Sequence, residues 1–332
     1  MISTDLPLID LHRHIEGNIR ISTIIDLARQ HNLELPAWDE EGLQPYVQVQ
    51  SQQPGVMAFL EKFTIPIRVL VDLDTCRRIT YEAVLDAAKE GIDYIELRFS
   101  PWFMAETHKL PPQGVVEAVL DGAAAGRQEA GIWVKLLGIL SRTYGPEIAM
   151  QELDAMLPYS EQIVGLDLAG DEANYPAELF ERHFERAREV GWKATIHAGE
   201  AAGAESVWQS IRVLGAQRIG HGLAIVADPA LMDYLFERQI GIETNLTSNV
   251  QTSSVKDYAS HPLKTFLQNG LCASINSDDP GISGIDLRYE YEVAAPQAGL
   301  TKAEIRQAQL YAVESAFLTP KEKIRLLESK NS

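Results

Sequence analysis

Two histidines two residues apart, His12 and His14, sit in the apolar run Leu8–Ile15 (LIDLHRHI). In an extended strand alternate residues share a face, so both imidazoles point the same way. Far downstream stand Thr195-Ile196-His197-Ala198-Gly199-Glu200, Gly220-His221-Gly222 and Ser277-Asp278-Asp279-Pro280. Three nitrogens from His12, His14 and His197 with one carboxylate oxygen from Asp278 make a ligand set suited to a single zinc ion, leaving a position for water. Zinc lowers the pKa of such a water, to about 7 in favourable sites, and so supplies a hydroxide nucleophile. Glu200, near a candidate ligand without obviously being one, suits a proton donor whose pKa is raised by burial. His221 can orient the water or relay its proton, and Asp279, beside a ligand but necessarily directed differently, can accept a hydrogen bond from substrate. Each motif alone has a plainer reading: a strand histidine that is structural, a Gly-His-Gly bend, an Asp-Asp-Pro turn, a buried ion pair.

Their placement along the chain changes that balance. Eight short apolar, β-branched runs recur: Leu8–Ile15, Ile92–Pro101, Val134–Arg142, Ile163–Glu172, Lys193–Glu200, Arg218–Ile225, Ile240–Asn249 and Leu271–Pro280. Amphipathic stretches such as Pro112–Ala130, Ala177–Val190, Ala204–Leu214 and Pro229–Gln239 lie between them. Alternating strand and helix implies a parallel sheet, and eight units fit a closed (β/α)8 TIM-type barrel, here spanning residues 1–332 as one domain. A doubly wound open sheet is the alternative. Its glycine-rich dinucleotide turn is missing, because the first strand runs into His14-Ile15-Glu16-Gly17-Asn18. In a barrel the C-terminal ends of all strands converge on one mouth, so the four motifs become neighbours. The first connection is unusually long, with helical stretches near Ser22–His31, Pro54–Leu70 and Thr75–Glu90 that can cover this mouth. Extra helices follow the last strand, where Thr301–Glu304 and Thr319–Glu322 read as capping boxes.

Composition narrows the function. The chain has 332 residues, 45% hydrophobic and 23% charged, which suits a soluble globular protein with a sizeable core. Its net charge of −18 disfavours a nucleic-acid partner. No segment approaches the roughly 18 uninterrupted apolar residues of a membrane helix, and the N-terminus has no signal-like region, so a cytoplasmic protein is expected. The two cysteines, Cys76 and Cys272, are far apart and offer no thiolate metal cluster. Zinc deaminases built around Pro-Cys-x-x-Cys are thereby excluded. His31, His108, His183 and His261 fall in helical or loop contexts and are assigned no role. No protein partner is indicated.

In order and together, His-Arg-His, His-Ala-Gly-Glu, Gly-His-Gly and Ser-Asp-Asp-Pro resemble the metal and catalytic segments of the adenosine deaminase branch of the metal-dependent amidohydrolases. Leu168-Ala169-Gly170-Asp171-Glu172 resembles that family's substrate-binding fourth strand, and the similarity runs from about Leu6 to the C-terminal helices. The resemblance implies one zinc held by His12, His14, His197 and Asp278, with substrate contacts from His14, Glu16, Gly170 and Asp279. Glu200 would protonate the purine ring nitrogen beside the amino-bearing carbon. His221 would assist the water and stabilise the attacking oxygen, Asp279 would contact the five-membered ring, and the Gly170 N–H the six-membered ring. Phe59 and Phe63, four apart, resemble an apolar helix flanking the purine pocket, with core packing the equal alternative. The fourth strand has no lysine, which favours a mononuclear over a lysine-bridged dinuclear site.

The family pattern departs at Glu16. Adenosine deaminases typically carry Asp there for a ribose hydroxyl, whereas Glu is typical of the related adenine deaminases. Thr247-Ser248-Asn249-Val250-Gln251-Thr252 resembles bacterial adenosine deaminases instead. The expected substrates are therefore adenosine and 2′-deoxyadenosine, with free adenine as the alternative. A nucleoside-binding protein without activity is the non-enzymatic reading. It would be favoured by loss of Glu200 or of a ligand, and all are present.

Overall fold

The structure, a computed structural model, describes residues 2–330. Eight strands form one parallel sheet in sequence order: β1 (Ile9–His14), β2 (Tyr94–Phe99), β3 (Trp133–Ser141), β4 (Ile163–Ala169), β5 (Lys193–Ala198), β6 (Arg218–His221), β7 (Gly241–Thr244) and β8 (Ala273–Ile275). Parallel neighbours cannot be joined by tight turns, so helices cross back over the outside and cover the sheet. β2 is accordingly buried at all six positions. The expected (β/α)8 barrel is the architecture observed.

The ring closes in an economical way. β8 meets β1 through a single parallel bridge, Arg13 to Asp278. The His14 N–H donates to the Asp278 carbonyl at 2.9 Å, and the Asp278 N–H donates to the His12 carbonyl at 2.8 Å. Below it the Asn276 side chain substitutes for a ladder bond, its Oδ1 accepting from the Leu11 N–H at 2.9 Å. The seam therefore joins two of the motifs singled out in the sequence. β1 also carries a register shift between Asp10 and Arg13, where three steps of β1 match two of β2. Such a bulge re-aims side chains. His12 lies within it, and Arg13 points outward to Glu90 with two contacts of 2.8 and 2.6 Å.

Several strands are shorter than their apolar runs. The seventh stops at Thr244, and Leu246–Gln251 is a helical turn instead of strand. Past the barrel rim a strand has no neighbours to pair with. There the Thr247 N–H turns to the buried Glu290 carboxylate at 3.0 Å. The first connection contains the three expected helical regions, at Ile21–Gln30, Val56–Arg68 and Leu73–Lys89, and one that was not anticipated, Glu40–Val47. Gly42 and Pro45 disguise it, while Asp39 caps it by accepting from the Gly42 N–H at 2.8 Å. Both C-terminal capping boxes are present in reciprocal form.

The floor of the barrel is not purely apolar. Arg218 on β6 is buried, 2.5 Å from Glu96 and 2.6 Å from Glu243. Deleting one member of such a cluster strands the opposite charge in a dry interior. Arg218→Met is expected to lower unfolding stability by about 3–5 kcal/mol. Denaturant titration measures this, and a loss under about 1 kcal/mol would mean that water reaches Glu96 and Glu243.

Candidate metal and catalytic centre

The centre is built from below by one guanidinium. Arg98, fully buried on β2, reaches Asp167 of β4 and Glu243 of β7 at 2.8 Å each and also donates to the Leu11 carbonyl at 2.6 Å. Burial opposes ionisation of both acids. Arg98 and Arg218 nevertheless hold Glu243 well below the usual carboxylate range, and His197 with Arg98 lowers Asp167. Each carboxylate then receives an imidazole: His12 Nδ1 lies 2.8 Å from Glu243, and His197 Nδ1 lies 3.0 Å from Asp167. A carboxylate accepts only, so both rings carry their hydrogen on Nδ1 and turn a bare Nε2 lone pair into the barrel mouth.

Those two lone pairs confront each other at 3.1 Å. Asp278 Oδ1 lies 3.2 Å from His12 Nε2 and 3.3 Å from His14 Nε2. Electron-pair donors gathered this closely without a proton between them repel unless a cation sits among them. A tetrahedral ion with bonds of about 2.0–2.1 Å separates its donors by about 3.3 Å, which the spacing fits. Among the described residues, His12, His197, His221 and Asp278 each offer an atom within 4.8 Å of the others, and His14, Asp278 and Asp279 form an overlapping group. His221 thus stands near the donors, its Nε2 3.8 Å from Asp278 Oδ2 and 3.6 Å from Glu200 Oε2. His221 and Asp278 both have left-handed backbones, with φ of 63° and 61°. Such conformations cost about 1–3 kcal/mol in a non-glycine residue and aim a side chain where a regular strand would not.

Above the donors opens a cavity of about 260 Å³. Its polar wall includes His14, Glu16, Gly170, Glu200, His221 and Asp279, so the candidate substrate contacts share one space with the candidate acid. Its apolar wall holds Phe59, Phe63 and Phe103, stacked at tilted angles with centroids 6.2 and 5.9 Å apart. Phe59 and Phe63 are therefore both cavity wall and core. Glu16 Oε1 accepts from the Ser100 N–H at 2.6 Å, while Oε2 is buried with no partner among the described residues. Asp279 Oδ1 is likewise unpartnered. That carboxyl crowds Gly17, where an added Cβ would lie 1.7 Å from Asp279 Oδ1, which explains the glycine after Glu16.

Burial drives the acids apart. The Glu200 side chain is 9% exposed and its pKa is pushed up to about 7 by burial, with Asp278 and Glu172 adding to the rise. Asp279 is raised well above its usual range by burial, then by Asp278, Glu16 and Glu200. Asp278, its chain neighbour, is held well below despite burial, by His221 and His12.

Sequence reasoning missed most of the supporting residues. Asp167, Glu243 and Arg98 read as polar interruptions of buried strands, and only that incongruity marked them. Glu172 has a more specific task. Its carboxylate accepts from the N–H groups of Gly199, Glu200, Ala201 and Ala202 at 2.5–3.1 Å and from Ser206 Oγ at 2.6 Å. The loop bearing Glu200 is wound around it. His261 is buried against Asn249 and not solvated.

A parallel barrel whose strand ends gather imidazoles and a carboxylate beside a protonatable acid is a metal-dependent hydrolase barrel of the amidohydrolase kind. Within that class the chain belongs to the adenosine deaminase family, whose model, described as adenosine deaminase, matches residues 7–331. It is 57% identical over 323 residues to an adenosine deaminase of Photorhabdus laumondii, covering 97% of each chain. It is 56% identical over 328 residues to an adenosine deaminase of Escherichia coli O1:K1, covering 99% of this chain and 98% of that one. Among solved structures, the adenine deaminase of Arthrobacter aurescens matches with a TM-score of 0.90 at 26% identity, over 98% of both chains.

Glu172→Gln replaces one acceptor oxygen by an amino group facing backbone N–H groups. The residue 199–202 loop is expected to loosen, with faster amide hydrogen exchange there and a fall of about tenfold or more in turnover. Unchanged exchange in that loop would show that Glu172 does not hold it.

Proposed function

We propose that this protein hydrolyses adenosine and 2′-deoxyadenosine to inosine and 2′-deoxyinosine with release of ammonia, using one zinc ion per chain held by His12, His14, His197 and Asp278. The observation that carries the reading is the convergence of bare imidazole and carboxylate lone pairs on one point beside Glu200, an acid lifted to about pKa 7. Nitrogen and oxygen donors without thiolates suit zinc, which when bound lowers the pKa of water and supplies the nucleophile.

The chain's own groups do the rest. Glu200 keeps a proton near neutral pH and gives it to the ring nitrogen beside the amino-bearing carbon. That protonation withdraws electrons from the carbon and opens it to attack by oxygen. His221, 3.6 Å from Glu200, steadies the attacking oxygen. Asp279, its carboxyl raised by burial and then by its acidic neighbours, offers an O–H or a lone pair to the five-membered ring. The Gly170 N–H meets the six-membered ring. The hydrogen left on the attacking oxygen passes to the amino group, which leaves as ammonia as the C=O forms, so one water enters and one ammonia leaves.

Glu16 addresses the sugar. One of its oxygens is committed to Ser100, and the other is a buried acceptor in the cavity wall that lacks a donor. A ribose hydroxyl would supply that donor, whereas a free base would have only the ring N–H that takes the place of its glycosidic bond. This, with 56–57% identity to proteins named adenosine deaminase against 26% to one named adenine deaminase, supports the nucleoside over the adenine reading.

Glu200→Gln is expected to retain the fold and one equivalent of zinc while losing turnover by about 10²-fold or more. Elemental analysis and ammonia release decide it. Near-normal turnover would assign the acid elsewhere, and two equivalents of zinc, or full activity with none, would remove the mononuclear site. Substrate choice is read from kcat/KM for adenosine, 2′-deoxyadenosine and adenine on one preparation. The nucleosides are expected to lead by at least about tenfold, the worth of one polar contact. A clear preference for adenine overturns the assignment, and Glu16→Asp then becomes the variant that tests a shift back to nucleoside.

A further inference from the structure

The backbone N–H of Leu263 donates to His261 Nδ1 at 3.1 Å. A backbone N–H cannot accept, so His261 Nδ1 is bare and the neutral ring carries its hydrogen on Nε2. His261 is buried, and burial keeps the ring neutral by pushing its pKa down to about 3. Its Nε2 lies 3.2 Å from Asn249 Oδ1, so the imidazole donates and the amide oxygen accepts. An asparagine amide can otherwise be turned over with little change of shape. Here His261 fixes it.

The Asn249 amino group must then face the other way. Nδ2 lies 3.0 Å from His221 Nδ1 and 3.2 Å from Glu200 Oε1, and its two hydrogens are donated in those directions. A second amide nitrogen, Asn245 Nδ2, lies 3.2 Å from the same His221 Nδ1. Asn245 is only weakly oriented, since that nitrogen is 3.5 Å from the Glu243 carbonyl and its Oδ1 is buried with no partner among the described residues, so the order at Nδ1 rests on Asn249. His221 Nδ1 is therefore an acceptor, and the ring's hydrogen sits on Nε2, the nitrogen that faces Glu200 and Asp278.

We propose that Asn249, oriented by His261, is a positioning residue that locks His221 in the Nε2–H tautomer and steadies the Glu200 carboxyl, so that His221 serves the reaction as a hydrogen-bond donor. One side chain thereby sets two groups, and the order originates in a backbone N–H outside the cavity. His221 then approaches the attacking oxygen with N–H foremost, which stabilises charge developing there. The kinetic part rests on the deamination reading, whereas the tautomer part does not.

The direct test is a long-range proton–nitrogen correlation spectrum of the holoenzyme labelled with nitrogen-15 histidine, with His221 assigned by its absence from His221→Gln. The expected result is a hydrogen on Nε2 and a bare Nδ1 for His221. A hydrogen on Nδ1 overturns the proposal. In Asn249→Asp a carboxylate replaces the donor. The hydrogen is expected to move to Nδ1 and kcat to fall about 10²-fold, with KM for adenosine and zinc content nearly unchanged. His261→Phe frees the amide and is expected to lower kcat about tenfold, while His261→Gln, which restores a donor, recovers most of it. Near-normal kcat in folded Asn249→Asp overturns the proposal, as does equal loss in both His261 variants. If the unaltered enzyme releases no ammonia from adenosine, the functional reading falls, and the spectrum still decides the tautomer. If Asn249→Asp does not fold, the spectrum of the unaltered enzyme decides alone.

Discussion

The contact between Arg98 and its two carboxylates is the interaction on which the centre depends. A guanidinium taken out of water needs compensating charge, and Asp167 and Glu243 supply it from strands far apart in sequence. Neither acid is fully consumed by Arg98. Asp167 turns Oδ1 to His197 Nδ1 while Oδ2 takes Arg98, and Glu243 Oε2 accepts from both Arg98 and His12 Nδ1; that acceptor capacity sets the tautomers of His12 and His197. The barrel floor thus determines which atoms look into the mouth. A purely apolar floor of similar volume would pack as well, but it would leave both rings free to choose the wrong nitrogen.

Geometry at the rim is obtained at a cost in backbone conformation. The sheet closes through Asp278, and the left-handed φ there lets one residue bridge to β1 and still turn its carboxylate toward His12 and His14. Asp279, whose carboxylate also lies within 4.8 Å of His14 and Asp278, packs against Gly17. Two identical side chains adjacent in sequence consequently occupy opposite electrostatic environments. Asp278 is surrounded by imidazoles and is held ionised. Asp279 is buried beside acids, and both push its carboxyl well above the usual range. Separating the pKa values of like groups is how a site obtains both an anion for binding and a hydrogen-bond donor for substrate from one residue type.

Much of this was legible in the sequence because it depended on period and punctuation. Eight apolar runs alternating with amphipathic stretches specify a parallel barrel, and a barrel brings His14, Glu200, His221 and Asp278 to one mouth whatever their separation. The strand ends were overestimated because apolar and β-branched residues continue past the rim, where pairing partners run out. The helix at Glu40–Val47 was hidden by Gly42 and Pro45, since local propensity argued against it while tertiary packing and the Asp39 cap formed it. Hydrogen-bond partners were illegible for a different reason. The segments holding Glu172 and Asn249 stood out only by family resemblance and His261 not at all, and their roles arise from which atoms the fold sets against them.

The contrast between Glu172 and Asn249 shows how two supporting residues divide one task. Glu172 holds the backbone that carries Glu200, fixing where the acid can stand. Asn249 holds the carboxyl itself, through Nδ2, fixing which oxygen remains free. Backbone position and the carboxyl's hydrogen bonding are thereby held from separate elements, the first by the end of β4 and the second by the helical turn after β7, although the Glu172 charge also raises the Glu200 pKa. With two anchors, Glu172 fixes the backbone of the loop and Asn249 a carboxyl oxygen, the latter in a direction set from His261 and so from the Leu263 N–H.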